Sequence, residues 1–546
     1  MRNCMRWLVS AVVAFSGWVE VAVQPAAAAD SKPVAVLSLA PIESLIGDIA
    51  YLTEAAGSRD VGQMVEAMAQ PYTQGIDRTR PIGVVLTLEE GAPKPLAFVP
   101  VSDLKATLAS LKPQLGEPRD AGDGVLEMAG PAPVFIKEQG GFAFVGQSAE
   151  ALADLPADPL SLLGGLEKDY DVGIRGHVQN VPQEMRDMAI DQLKVGFEQG
   201  LNRLPEEDDE TFAMRKKLME GQMQQMVEMI NDTDQITLGW VVDKEHKSTH
   251  IDMTMTAVEG TRLARRMAGM RETKSGFTGF LLPDAAVTMS MAAQIPDEEI
   301  QQSLAMLKTV QANALKELDK DAKLEDEETR AAAKELVNDL FEVINTTIQS
   351  GKVDGGAAVL LAPGNMSALA GFYVADGAAV EKSLKKLVEL AEKEKDFPGV
   401  QFDADKHANV RFHTMNVPIP EGEADARKVL GESLEVAVGI GETSVYLALG
   451  EDALTKIKTA IDSSASGAQD PVPPLRMNVS LGSIMKFAAA MEDNPVVATM
   501  AKALEDSGGK DHLLIHAEPV AHGVRYRIQV EEGILQAIGK ARGGTP

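Results

Sequence analysis

A serine three residues ahead of a lysine occurs at Ser483-Ile484-Met485-Lys486, where an apolar strand reads into a helix. That spacing sets a hydroxyl and an amine on one helical face, the arrangement in which a neutral lysine takes the proton of an attacking serine. The rest of such an acylating site is missing: only Lys458-Thr459-Ala460 stands near the required Lys-Thr-Gly, and Ser383 to Lys386 repeats the spacing inside a helix read as solvent-facing. Ser483 is therefore read as a helix cap, and no catalytic residue is assigned.

Histidines come next. His512 and His516 alternate onto one side of a strand, with His522 across the following turn, and His246 and His250 flank another turn. Neither group has the Glu of a His-Glu-x-x-His helix, so no metal ligand is assigned and no cofactor is expected. Asp319-Lys320-Asp321 and Asp403-Ala404-Asp405 resemble pieces of calcium loops but lack the glycine at the sixth position, and are read as solvated loops. The acidic runs at Glu206 and Glu325 read as first-turn carboxylates facing helix dipoles. No glycine-rich phosphate loop follows any strand.

Methionine is the remaining candidate. Met214, Met219, Met223, Met226 and Met229 recur along one helical arm, with Met185 and Met188 on the arm before it. Flexible thioethers at this spacing line either a hairpin core or an adaptable apolar groove. Met185, Met188, Met219, Met223 and Met226 are the ligand-binding candidates on the second reading.

The elements that would position these residues repeat. Asp171 to Val178 reads as a strand, followed by a helical hairpin, paired strands Gln235 to Val242 and Ser248 to Ala257, and a basic helix Glu259 to Met270. The same order returns as strand Asp284 to Ala292, helix Pro296 to Leu318, a second arm, strands Ala357 to Leu361 and Ser367 to Val374, and helix Ala379 to Lys393. Two further copies flank these, giving units 32–111, 171–270, 284–393 and 475–541, each β-αα-ββ-α. In the first, Val34 to Leu39 is the strand and Ser102 the cap of the closing helix. Connecting modules 125–155 and 400–461 sit at matching places, and Ser463 to Pro474 reads as a linker. The expectation is an α+β protein of two duplicated halves, 30–274 and 275–546, each a largely antiparallel sheet with helical hairpins packed on it.

Phe142 to Leu152 and Val445 to Leu454 share an apolar strand, a glycine, a polar cap and a helix. In these two places the chain resembles a family of uncharacterised exported bacterial proteins that repeat such units. The resemblance implies export and brings no functional residues with it.

Residues 1–29 read as a secretory leader. Arg2 and Arg6 precede the apolar stretch Trp7 to Val23, and Ala27-Ala28-Ala29 supplies the small-residue cleavage site. The single cysteine, Cys4, leaves with it, and no stable membrane span remains, so the expected location is periplasmic or secreted. With 52 Lys plus Arg against 81 Asp plus Glu, the net charge of −29 repels nucleic acid, and 4% aromatic residues leave little for base stacking. The expected function is a non-enzymatic binding or scaffolding protein whose partners are envelope proteins or an apolar small molecule. A carrier of an apolar ligand such as a lipid is the alternative, and a serine hydrolase using Ser483 and Lys486 ranks third.

Overall fold

A computed structural model describes residues 32–129, 133–203, 207–320, 326–393, 397–467 and 470–543. The expected leader, with Cys4, lies outside them, as do Glu206 and Glu325. The chain divides into two compact units between Ala264 and Arg265.

The first unit opens with β1 (Ala35–Leu39), the helical hairpin α1 (Ile42–Ala55) and α2 (Arg59–Ala69), β2 (Ile82–Glu89), β3 (Ala92–Pro100) and α3 (Leu104–Leu115). Four short strands follow: β4 (Pro118–Gly122), β5 (Val125–Ala129), β6 (Pro133–Gln139) and β7 (Phe142–Gly146). After α4 (Leu166–Asp169) come β8 (Val172–His177), a longer hairpin of α5 (Gln183–Gly200) and α6 (Asp209–Asp232), β9 (Thr233–Asp243) and β10 (Ser248–Ala257). The short helix α7 (Arg262–Ala268) spans the division.

The second unit contains β11 (Val287–Gln294), α8 (Asp297–Lys320), α9 (Glu327–Gln349), β12 (Lys352–Ala362), β13 (Asn365–Tyr373) and α10 (Gly377–Ala391). It continues with β14 (Gln401–His407), β15 (Val410–Pro418), α11 (Ala424–Leu430), β16 (Ser433–Ile440), β17 (Ser444–Leu449) and α12 (Ala453–Gly467). Its last elements are β18 (Leu475–Ser480), α13 (Leu481–Met491), α14 (Pro495–Glu505), β19 (His512–Val520), β20 (Gly523–Glu531) and α15 (Glu532–Gly543).

Every pairing within these units is antiparallel. The first sheet runs β10-β9-β8-β1-β2-β3-β7-β6-β5-β4. The second runs β20-β19-β18-β11-β12-β13-β17-β16-β15-β14, the same order with each strand replaced by its counterpart. The protein is thus α+β, with antiparallel sheets carrying helices.

The largest core of each unit lies on one face of its sheet, and a smaller cluster lies on the other, Val101, Leu108, Met128, Ile136 and Ala143 in the first unit and Ala503, Leu504, Ile534 and Ala537 in the second. In the first unit Val36, Val85, Phe98, Phe142 and Phe144 pack with Leu163, Leu166 and Tyr170 from the segment before β8. The Tyr170 ring lies flat enough on β9 that a Cβ on Gly239 would meet it at 2.2 Å, so only glycine fits there. In the second unit Phe277, Phe280, Phe412, Tyr446 and Ile457 form the corresponding core. No helix among the described residues is long and apolar enough to cross a membrane.

Several local expectations are corrected. The cap of α3 is Asp103, whose carboxylate accepts the Ala106 N–H at 3.1 Å, rather than Ser102. Ser463 to Gly467 is not linker but the last turn of α12, fixed by buried Ser464, whose Oγ accepts the Gly279 N–H at 2.9 Å. Asp403 to Asp405 lies in β14 instead of a loop, and Asp405 pairs with Lys458. Ser383 is 1% exposed, so its face of α10 points into the protein. The expected helix after Ser148 is only a short 3-10 turn, Glu150–Leu152.

Candidate functional site

Alternation along a strand sends successive side chains to opposite faces, so the core face dictates what the other face carries. Opposite Val36, Val85, Gly173 and Gly239, the first sheet presents three cross-strand rows. The first row is Ile82, Leu39, Val172, Trp240 and Ile251; the middle row is Val84, Leu37, Ile174, Leu238 and Met253; the third is Leu86, Ala35, Gly176, Ile236 and Met255. All are apolar, and none is fully buried. Ile174, Ile236, Leu238, Ile251 and Met253 are between 42% and 49% exposed.

Exposed apolar side chains are ordinary when scattered, but an unbroken block of them marks a surface meant to be covered. At spacings of about 4.8 Å between strands and about 6.8 Å between rows, the block measures roughly 19 by 14 Å.

Its two ends differ. At the third row α6 runs directly into β9: the Thr233 hydroxyl bonds the Met229 carbonyl at 2.6 Å and touches the Met255 sulfur at 3.7 Å. Gln179 ties this root down by donating to the Asn231 and Thr233 carbonyls at 2.9 and 2.6 Å. Beyond the first row the surface turns polar. Asp171 accepts the Val242 N–H at 2.7 Å, and Lys244 pairs with buried Asp48 at 2.8 Å. Burial, with Asp48 nearby, pushes the Asp171 carboxyl above its ordinary range.

The methionines chosen from sequence sit on the hairpin rooted at the third row. Met219, Met223 and Met226 are half-buried on α6, Met185 is half-buried at the start of α5, and Met188 and Met229 are exposed. The side chain of Met214 lies outside the described residues. These methionines belong to the hairpin, whereas the apolar rows belong to β1, β2, β8, β9 and β10, which the sequence reading did not single out. The signal was present as alternating apolar residues in β1, β8, β9 and β10, but alternation alone does not reveal which face a helix leaves uncovered.

The second unit repeats the rows, in the same order: Gly355, Met291, Leu475, Ala517 and Tyr526; Ala357, Met289, Met477, Ile515 and Ile528; Val359, Val287, Val479, Leu513 and Val530. Here Leu513 and Val530 pack against the cluster of Ala503, Leu504, Ile534 and Ala537, so α14 and α15 cover part of these rows. Met291 and Ile528 remain exposed, making this the more closed version.

Ser483 and Lys486 line one cleft of the second unit, of about 670 Å³, together with Ser480, Lys502, Asp511 and His512. No hydrogen bond joins Ser483 to Lys486 among the described residues. The cap of α13 is Ser480, not Ser483: its Oγ accepts the Ser483 N–H at 3.1 Å and donates to Asp511 at 2.7 Å. Strand β18 passes into α13 with no loop, which places the cap at the strand's last residue. The histidines are not gathered either. His516 lies 3.2 Å from Glu518, His246 lies 2.8 Å from Asp243, and His522 occupies a turn at φ 57°.

No family model, curated protein or solved structure matches the chain.

Proposed function

We propose that this is an exported, non-enzymatic binding protein that holds the hydrocarbon part of an apolar molecule on the open sheet face of its first unit. The observation that supports the reading is the three-row block around Ile174 and Leu238, apolar at every position and open at its centre. Composition favours a small molecule over a folded partner, because Trp240 is the block's single aromatic and it has no arginine, whereas protein interfaces concentrate both. Export is supported by the leader-like residues 1–29.

The test is extraction of the protein purified from its native envelope, with mass spectrometry of the extract. A lipid or other apolar compound at stoichiometric level is expected. Its absence, combined with failure of the stripped protein to bind a fluorescent fatty acid, removes the reading.

A further inference from the structure

We propose that Asp511, His512 and Glu531 form a binding site for a divalent transition-metal ion of the Zn²⁺ type. His512 Nδ1 stands 3.2 Å from Asp511 Oδ1 and 3.1 Å from Glu531 Oε2, and one donor atom from each residue lies within 4.8 Å of the other two. An ion bound at about 2.1 Å by two such donors separates them by roughly 3.0 Å in octahedral and 3.4 Å in tetrahedral geometry. The spacing around Nδ1 falls inside that range.

The groups behind the donors are arranged as a metal site requires. Asp511 Oδ2 is occupied by the Ser480 hydroxyl at 2.7 Å and the Gly482 N–H at 2.8 Å, which turns Oδ1 to the histidine. Glu531 Oε2 accepts the His512 N–H at 3.0 Å, and Lys510 lies 3.6 Å from Oε1. His512 Nδ1 and Glu531 Oε2 lie within hydrogen-bond distance of each other, and a cation bound between them displaces that proton. Asp511 and Glu531 are buried, while Asp511 and His512 border the 670 Å³ cleft that gives an ion and its waters a way in.

The fold does not demand this trio. Matching the two sheets by register sets Leu513 on Ile236 and Val530 on Met255, so the first unit carries Asp234, Gln235 and Thr256 at the three positions. A second His-carboxylate group, Glu381, Asp403 and His413, fails the chemistry. There Nδ1 accepts the Asp403 N–H at 3.0 Å, which places the ring proton on Nε2, and a protonated nitrogen cannot ligate.

The full chain, stripped with a chelator, is titrated with Co²⁺ and followed by visible absorption, with Zn²⁺ as competitor. One Co²⁺ per chain is expected, displaced by Zn²⁺, with the absorption band lost and affinity at least tenfold weaker in Glu531→Gln and in Asp511→Asn. His413→Gln is expected to bind as the parent does. Circular dichroism identifies any variant that fails to fold, and the parent titration stands without them. No saturable Co²⁺ band in the parent overturns the assignment, as does a folded Glu531→Gln that binds Co²⁺ equally well.

Discussion

Ile174 stands directly opposite Leu238 across the β8–β9 ladder, and both side chains are nearly half exposed in the middle of a sheet. A central pair is ordinarily among the best buried, so a charge placed there tests what the face is for. Leu238→Asp is expected to change stability by less than about 1 kcal/mol, because the site is already wet, and to weaken binding of a fluorescent fatty acid more than tenfold. Equal affinity in parent and variant, measured by fluorescence titration, counts against the sheet as the binding surface.

One residue further on, the opposite result is expected. Gly239 faces the Tyr170 ring, where a Cβ would fall 2.2 Å from the nearest carbon. Gly239→Ala forces either the ring or the strand to move, a disturbance of about 1–3 kcal/mol. The urea midpoint should fall by that amount while affinity per folded molecule stays close to the parent's. A neutral effect on stability would mean that Tyr170 does not pin this face of β9.

Much of this was readable in advance. Strand alternation, hairpin turns and first-turn signals located nearly every helix and most strands, since each rests on contacts between near neighbours in sequence. The hairpin of β4 with β5 was missed because Pro118-Arg119-Asp120-Ala121-Gly122 has no apolar alternation and is held by its ladder alone. The partner of His512 was missed for a related reason. Glu531 reaches it only because β19 and β20 pair, and nothing local in either segment states that register.

Ser480 and Ser483 separate two roles that the Ser-x-x-Lys spacing would merge. Ser480 caps α13 and donates to buried Asp511, so Ser480→Ala loses a cap and leaves a carboxylate short of one donor, at a cost of about 1–3 kcal/mol in thermal or urea melts. With the Ser480 proton on Asp511, the Ser483 hydroxyl donates to Ser480 Oγ at 3.0 Å, its one side-chain partner among the described residues, and Ser483→Ala should cost less than about 1 kcal/mol. Neither serine is expected to take up an acylating serine probe. Labelling that disappears in Ser483→Ala and persists in Ser480→Ala would restore the hydrolase reading.

His413 gives a stability signature with a definite sign. Its ring is 1% exposed, Nδ1 accepts the Asp403 N–H, and Phe402 packs edge-on at 5.2 Å. Burial pushes its pKa below the ordinary 6.5; nearby Glu381, 3.9 Å from Nε2, and Asp403 oppose that, while Lys385 and Arg411 reinforce it. Above pH 6.5 the ring is neutral in both folded and unfolded chains and makes no pH-dependent contribution. Between 6.5 and the depressed value the unfolded chain holds the extra proton, so stability falls as pH falls, by up to about 1.4 kcal/mol for each tenfold difference in acidity. Below the depressed value the loss is complete and the slope disappears. In His413→Gln the glutamine oxygen can take the Asp403 N–H but does not titrate. The parent's advantage in urea midpoint at pH 7.5 should therefore shrink as pH falls from 6.5 to the depressed value and then level off, and a gap that is constant or widens on acidification would show that the ring gains its proton at least as easily inside the fold as outside it.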